Sequence, residues 1–287
     1  MTTLARFIEQ AWNDHVADPG GVAAHVGDGI AMLDADPERL GDFLQLAEHL
    51  HLAHFGDTAA MQAVLDRAGP FLAVQPQVQP LADRARLAMS LLQDQATVAT
   101  LPAPATIRGH GTAICGWVSR GDIDKARQLL QAAAAIARDA DLATRTDATK
   151  ALAASCNNVA TQLLDLPRRP QADTLMLDAA AWSRSAWAEV GTWMNVERAE
   201  YLLALCASAT GDGARAVEHA ASCLSICEAN GADAFELFFA HEAMAKALMA
   251  SGDRSAAGEQ AKRMAALLPE IEDEGNRAYA AAALKKL

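Results

Sequence analysis

Gly121-Asp122-Ile123-Asp124-Lys125-Ala126 is a short turn that returns at Gly211 to Ala216 and Gly252 to Ala257, with a weaker form at Gly56 to Met61. Each copy follows an apolar helical stretch and opens another. The turn therefore reads as the hairpin of a repeated helix pair, and the surrounding sequence can be aligned on it.

Seven residues before the turn glycine stand Ile114, Ala204 and Ala245; five after it stand Ala126, Ala216 and Ala257. Small residues at these two places let paired helices approach closely, and larger apolar neighbours fill the layer. One more pair fits if Pro167 takes the place of the glycine, with Val159, Ala160 and Leu163 before it and Ala172 and Met176 after it. The turns at 121, 167, 211 and 252 are then 41 to 46 residues apart, the near-regular period of a solenoid. The expected helix pairs are 107–119 with 123–139, 145–165 with 171–189, 195–209 with 213–229, and 236–250 with 254–268. A last helix, about Glu272 to Lys286, is acidic at its start and basic at its end. That order suits the helix dipole and a capping role.

These positions resemble the tetratricopeptide repeat family, with Gly121, Gly211 and Gly252 at the turns, Ala160, Ala204 and Ala245 before them, Ala126, Ala172, Ala216 and Ala257 after them, and Pro269 at the end of the last repeat. Asn157-Asn158-Val159-Ala160 is similar to the Asn-Asn-Leu-Ala run of the family's longer repeats. The resemblance covers about 106–270 and, more weakly, 37–73. The period is longer than the family's roughly 34 residues. It implies an all-α, right-handed α-α superhelix, a solenoid of antiparallel helix pairs with a C-terminal capping helix.

Composition agrees with an all-α chain. Of 287 residues, 52 % are hydrophobic but only 5 % aromatic, so alanine supplies much of the apolar content. The net charge of −12, with no basic run, disfavours nucleic acid as a partner. No stretch approaches the roughly 20 uninterrupted apolar residues of a membrane span, and the N-terminus does not read as a signal peptide. Five dispersed cysteines, Cys115, Cys156, Cys206, Cys223 and Cys227, read as reduced thiols in a cytoplasmic protein. Cys223 and Cys227 are read as core.

Three regions are expected: irregular helical pairs over 1–73, a connector with one helix over 74–105, and the regular repeats over 106–287. In the first, Asp18-Pro19-Gly20-Gly21 is read as a breaker between helices Leu4 to Val16 and Val22 to Leu33. Asp36-Pro37-Glu38 starts a helix that runs to about Phe55, with Asp36 as its cap. Gly69-Pro70 ends the helix that begins at Thr58. Val74 to Pro80 and Thr100 to Pro104 are connectors around a helix from Leu81 to about Gln95.

If the first helix of each pair lines the concave face, as the resemblance implies, the groove-binding candidates are Arg108, Asn157, Thr161, Arg198, Tyr201, Glu242 and Lys246. Phe43 and His54 stand in the same register in the weak first unit. Asn157 can donate to and accept from a peptide backbone, while Arg198 and Lys246 suit a carboxylate or phosphate. A second candidate is the histidine-rich N-terminal region. Glu48, His51 and His54, three residues apart, can share one side of a helix as metal ligands, with His15 or His25 completing the set. His49 falls where the repeat wants a small buried residue. His110 and His241 share one register position and are read as packing residues. Trp182, Trp187 and Trp193 are read as plugs in an Ala-rich array, or as an apolar platform or homodimer contact. No nucleophile elbow, phosphate loop or dinucleotide fingerprint is present.

The expected function is accordingly a non-enzymatic scaffold, with no cofactor, that binds a protein or peptide in its groove. The alternative is a small-molecule or metal-binding sensor built on the N-terminal histidines.

Overall fold

The fold was obtained as a computed structural model that describes residues 3–95 and 101–287, so part of the second expected connector lies outside the described residues. Among those described, every regular element is helical. The chain divides into two compact units, Met1–Ser155 and Cys156–Leu287.

In the first unit, α1 (Leu4–Asp14), α2 (Pro19–Met32) and α3 (Leu40–Ala47) are followed by a π-helical turn, Glu48–His54. Then come α4 (Thr58–Val74), α5 (Gln79–Leu92), α6 (Ala103–Ser119), α7 (Ile123–Asp139) and the start of α8 (Arg145–Leu164). The apolar faces of α1 to α5 close on a core that includes Leu4, Ile30, Phe43, Leu50, Met61 and Leu92. Phe43 is wholly buried there, which removes it from the groove candidates.

Three expected boundaries change for local reasons. The chain does break between α1 and α2, but the Asp18-Pro19-Gly20-Gly21 run forms the start of α2: the Asp18 carboxylate accepts from the Gly21 N–H at 2.8 Å, and Pro19 needs no intrahelical partner in the first turn. Asp36 makes no side-chain cap; Pro37–Arg39 forms a 3-10 turn before α3. The helix from Thr58 continues through Pro70 to Val74, and its last turns bury Ala68 and Leu72.

The second unit holds the rest of α8, then α9 (Pro170–Val190), α10 (Trp193–Ala209), α11 (Gly213–Asn230), α12 (Ala234–Ser251), α13 (Arg254–Leu267) and α14 (Glu274–Leu284). Each helix from α9 to α13 packs on the next, and α10 also packs on α12. Small residues form the seams. Ala204, Ala207, Ala216, Ala220, Ala243 and Ala247 make one cluster, and Phe238, Met264, Ile271 and Ala280 seat the terminal helix. Ile114, Ala126, Ala216, Ala245 and Ala257 are all buried, as the alignment on the turn requires.

The turn works through two adjacent residues. Gly121, Gly211 and Gly252 have φ of 81°, 79° and 91°, a left-handed conformation that only glycine adopts freely. The next N–H bonds the carbonyl five residues back: Asp122 to Trp117, Asp212 to Ala207, and Asp253 to Leu248. Each aspartate then caps the following helix, accepting from the N–H of Lys125, Arg215 and Ala256. At Pro167 no such glycine exists. Instead the Arg168 guanidinium donates to the carbonyls of Leu163, Leu164 and Leu166 at the end of α8, and pairs with Asp173 of α9. A cation satisfies the carbonyls that a glycine turn would satisfy elsewhere.

Gly56-Asp57 differs by one residue. The Asp57 N–H reaches back six positions to His51, because the preceding turn is π-helical. α6 packs along that turn and holds it open. Ser119 donates to the Ala53 carbonyl at 3.1 Å, and Arg120 donates to the carbonyls of Gly56 and Leu92. Gly116 lets the backbones meet, since a Cβ there would lie 2.6 Å from the Leu52 carbonyl oxygen.

Candidate functional site

The groove candidates are sorted by the packing of α10 on α12. Arg198 of α10 forms an ion pair with Glu236 of α12, and Tyr201 of α10 donates to Glu242 of α12 at 2.6 Å. Lys246 closes the row, 2.8 Å from the other oxygen of Glu242. The two glutamates are buried, whereas the heads of Arg198 and Lys246 reach solvent. Burial, and then the charge of Glu242, push the Tyr201 phenol far above its usual range, so it remains a donor. Asn157 is half-buried and Thr161 exposed on α8; Arg108 is exposed on α6 in the first unit. The structure thus brings Arg198, Tyr201, Glu242 and Lys246 together with Glu236.

Two further carboxylates on α10 escaped the sequence reading. Glu200 sits between Arg184, at 2.8 Å, and His219, at 2.7 Å. Burial raises its pKa, but His219 and Arg184 together hold it below the ordinary carboxylate range. Glu197 accepts from the Cys223 thiol at 2.9 Å, and burial pushes its carboxyl up to about 7. Only the i, i+3 spacing of Glu197 and Glu200 was visible beforehand. It does not distinguish a buried pair from a solvated face.

The expected metal trio is not the one the fold assembles. Glu48 turns away into the core, where Arg84 of α5 grips it at 2.6 Å and Thr112 of α6 donates to it at 2.8 Å. His51 is buried, and burial lowers its pKa. His25 lies on the surface with Asp28. Instead His15, His49 and His54 converge: one ligand nitrogen from each lies within 4.8 Å of the other two. His49 Nε2 and His54 Nε2 are 3.1 Å apart.

The π-helical turn explains this regrouping. In an α-helix, residues five apart point about 140° away from each other. A π-helix bonds i to i+5, so residues at that separation return to the same side. His49 and His54 are such a pair, and the same widening removes His49 from the small buried position expected of it. His15 follows α1; its Nδ1 lies 2.7 Å from the Trp12 carbonyl, which leaves Nε2 for the cluster. The Trp12 ring lies 5.0 Å from His49 and 5.2 Å from His15, centroid to centroid. Burial, then His54 and His15, lower the His49 pKa to about 3, so its ring is neutral near pH 7.

The two histidines read as packing residues are enclosed. His110 donates from Nδ1 to the Thr106 carbonyl, and His241 bonds Gln260; both are buried. All five cysteines are buried and none is in a disulfide. Burial pushes Cys115, Cys156 and Cys206 up to about 12, and a bond with Cys227, then burial, raises Cys223 further. Trp182, Trp187 and Trp193 are half-buried. A surface depression lined by Pro102, Ala103, Ile136, Asp139 and Thr144 contains none of the sequence-selected residues. No helix among the described residues is long and apolar enough to cross a membrane. No family model matches the chain, and no curated relative does.

Proposed function

We propose that the pairs α6–α7, α8–α9, α10–α11 and α12–α13 are successive units of a right-handed, tetratricopeptide-like solenoid closed by α14. Its role is non-enzymatic and cytoplasmic: it binds a protein or peptide segment along the face of the first helices. The observation that carries this reading is the row Arg198–Glu236 and Tyr201–Glu242–Lys246, which joins two consecutive first helices beside an alanine-rich seam.

A seam built only for stability needs no buried glutamate, because a buried ion pair does not by itself add stability over an apolar one. Here the glutamates hold two cationic heads at the surface, so those side chains lose less freedom when a partner arrives. Their charges are compensated. The face therefore favours the alternating donors and acceptors of a peptide backbone over the bare carboxylate or phosphate expected of Arg198 and Lys246 alone. Asn157 on α8 offers both kinds of hydrogen bond.

The test is capture of a partner from native lysate by the wild-type chain and by the Asn157→Ala/Arg198→Ala double variant. The partner's binding should fall by at least about tenfold, some 1.4 kcal/mol. A partner that binds both proteins equally would rule out this face.

A further inference from the structure

From the placement of His15, His49 and His54 we propose that the first unit carries a site for one borderline divalent transition-metal ion, of the Zn²⁺, Co²⁺ or Ni²⁺ class, held by three imidazole nitrogens with one coordination position left open. This site is independent of the peptide-binding reading and lies in the other unit.

The geometry already approaches chelation. Two nitrogens bound to one tetrahedral zinc at roughly 2.0–2.1 Å are about 3.3 Å apart. His49 Nε2 and His54 Nε2 stand at 3.1 Å, and a ligand nitrogen of His15 is within 4.8 Å of a ligand nitrogen of each, one side-chain adjustment away. The His15 ring is oriented by the contact of Nδ1 with the Trp12 carbonyl, the backbone outer-shell bond that metal-ligating histidines use to fix their tautomer.

Ligand chemistry sets the class of ion. Three imidazoles without a carboxylate suit zinc, cobalt, nickel and copper, and are poor ligands for Mg²⁺ and Ca²⁺. The rings are half-buried behind Trp12 and Phe55, themselves 38 % and 42 % exposed, so solvent or a partner's side chain can reach the fourth position. The backbone adds a second argument. The π-turn is held from α6 by Ser119, Arg120 and Gly116, and its effect is to bring His49 and His54 to one side. π-turns are frequently found at functional sites.

The experiment is titration of the full-length, metal-free chain with CoCl₂, followed by visible absorption, then displacement by ZnCl₂ followed by calorimetry. One equivalent should bind per chain, with the d–d absorption of a four-coordinate site. His15→Ala, His49→Ala and His54→Ala should each weaken binding by more than the roughly 10- to 100-fold typical of losing an outer-shell partner. His25→Ala, which changes an exposed histidine outside the cluster, should leave it unchanged. Far-UV circular dichroism checks the fold of each variant, and His15→Ala, beyond the end of α1, is the decisive one if either π-turn variant unfolds. Absence of saturable binding, or one-equivalent binding that survives His15→Ala, would overturn the assignment.

Discussion

The thiol of Cys223 on α11 donates to the carboxylate of Glu197 on α10 across 2.9 Å, inside a seam where the other Glu197 oxygen, Oε2, is buried without a hydrogen-bond partner. A thiol is a weak donor, so it offsets little of the cost of burying charge. Desolvation dominates, and the Glu197 carboxyl rises from 4.5 to about 7.

A carboxyl raised in the folded state is stabilising when protonated. Its contribution is complete below about pH 4.5 and is lost as pH rises through about 7. The loss is up to about 1.4 kcal/mol per pH unit across that window, on the order of 3 kcal/mol in all. Denaturant unfolding at pH 5 and pH 8 should show Glu197→Gln gaining on wild type by about 2 kcal/mol or more at the higher pH. A constant difference between the two proteins would remove Glu197 as the cause.

Arg84 and Glu48 form the corresponding pair in the first unit, at 2.6 Å with both side chains largely shielded. Removing one member leaves a buried charge unpaired. Arg84→Met should cost about 3–5 kcal/mol, whereas the double variant Arg84→Met/Glu48→Leu should recover most of it. Urea midpoints of the two variants decide this; equal losses would show that the pair itself matters less than its surroundings.

The hairpin turns make a local prediction. Gly211 has φ of 79° with open space around its Cα, so Gly211→Ala meets no clash and only backbone strain. The expected cost is about 1–2 kcal/mol. Asp212→Ala removes the cap on Arg215 and should cost about 1 kcal/mol. Thermal melting of both variants reads the difference, and Gly211→Asn should lose less than Gly211→Ala, because asparagine tolerates the left-handed region.

Gly116→Ala tests the support of the π-turn. The added methyl would stand 2.6 Å from the Leu52 carbonyl oxygen and close to Leu92. Backbone cannot yield as a flexible side chain does, so a loss of about 1–3 kcal/mol is expected. Amide exchange should accelerate first over residues 48–56. Unchanged protection there would mean that α6 does not hold the turn.

The regular half of the chain was legible because its information is local. A glycine able to take positive φ, an aspartate that caps, and alanines at fixed offsets specify each hairpin within a few residues. The helix limits expected from Ile123 to Leu268 therefore match the observed ones to within a few residues. The proline in place of a turn glycine at 167 was visible, but Arg168 as its substitute was not: its role depends on where three carbonyls end up. The shared register of Arg198, Tyr201, Glu242 and Lys246 was readable as well. What it missed was that α10 and α12 approach closely enough for Glu236 to pair with Arg198 and for Tyr201 to reach Glu242.

The Glu48–His54 stretch shows the other limit. Its residues are compatible with an ordinary α-helix, in which Glu48, His51 and His54 can share a side. Contacts with α5 and α6, dozens of residues later in the chain, draw Glu48 inward and hold carbonyls 53 and 56 outward. Sequence alone determined that the chain is helical and that Gly-Asp turns join successive helices at 121, 211 and 252, because turn and cap energies act over four or five residues. Tertiary structure decided which histidines meet, because a π-turn exists only where distant neighbours take up the hydrogen bonds and space that an α-helix would have kept for itself.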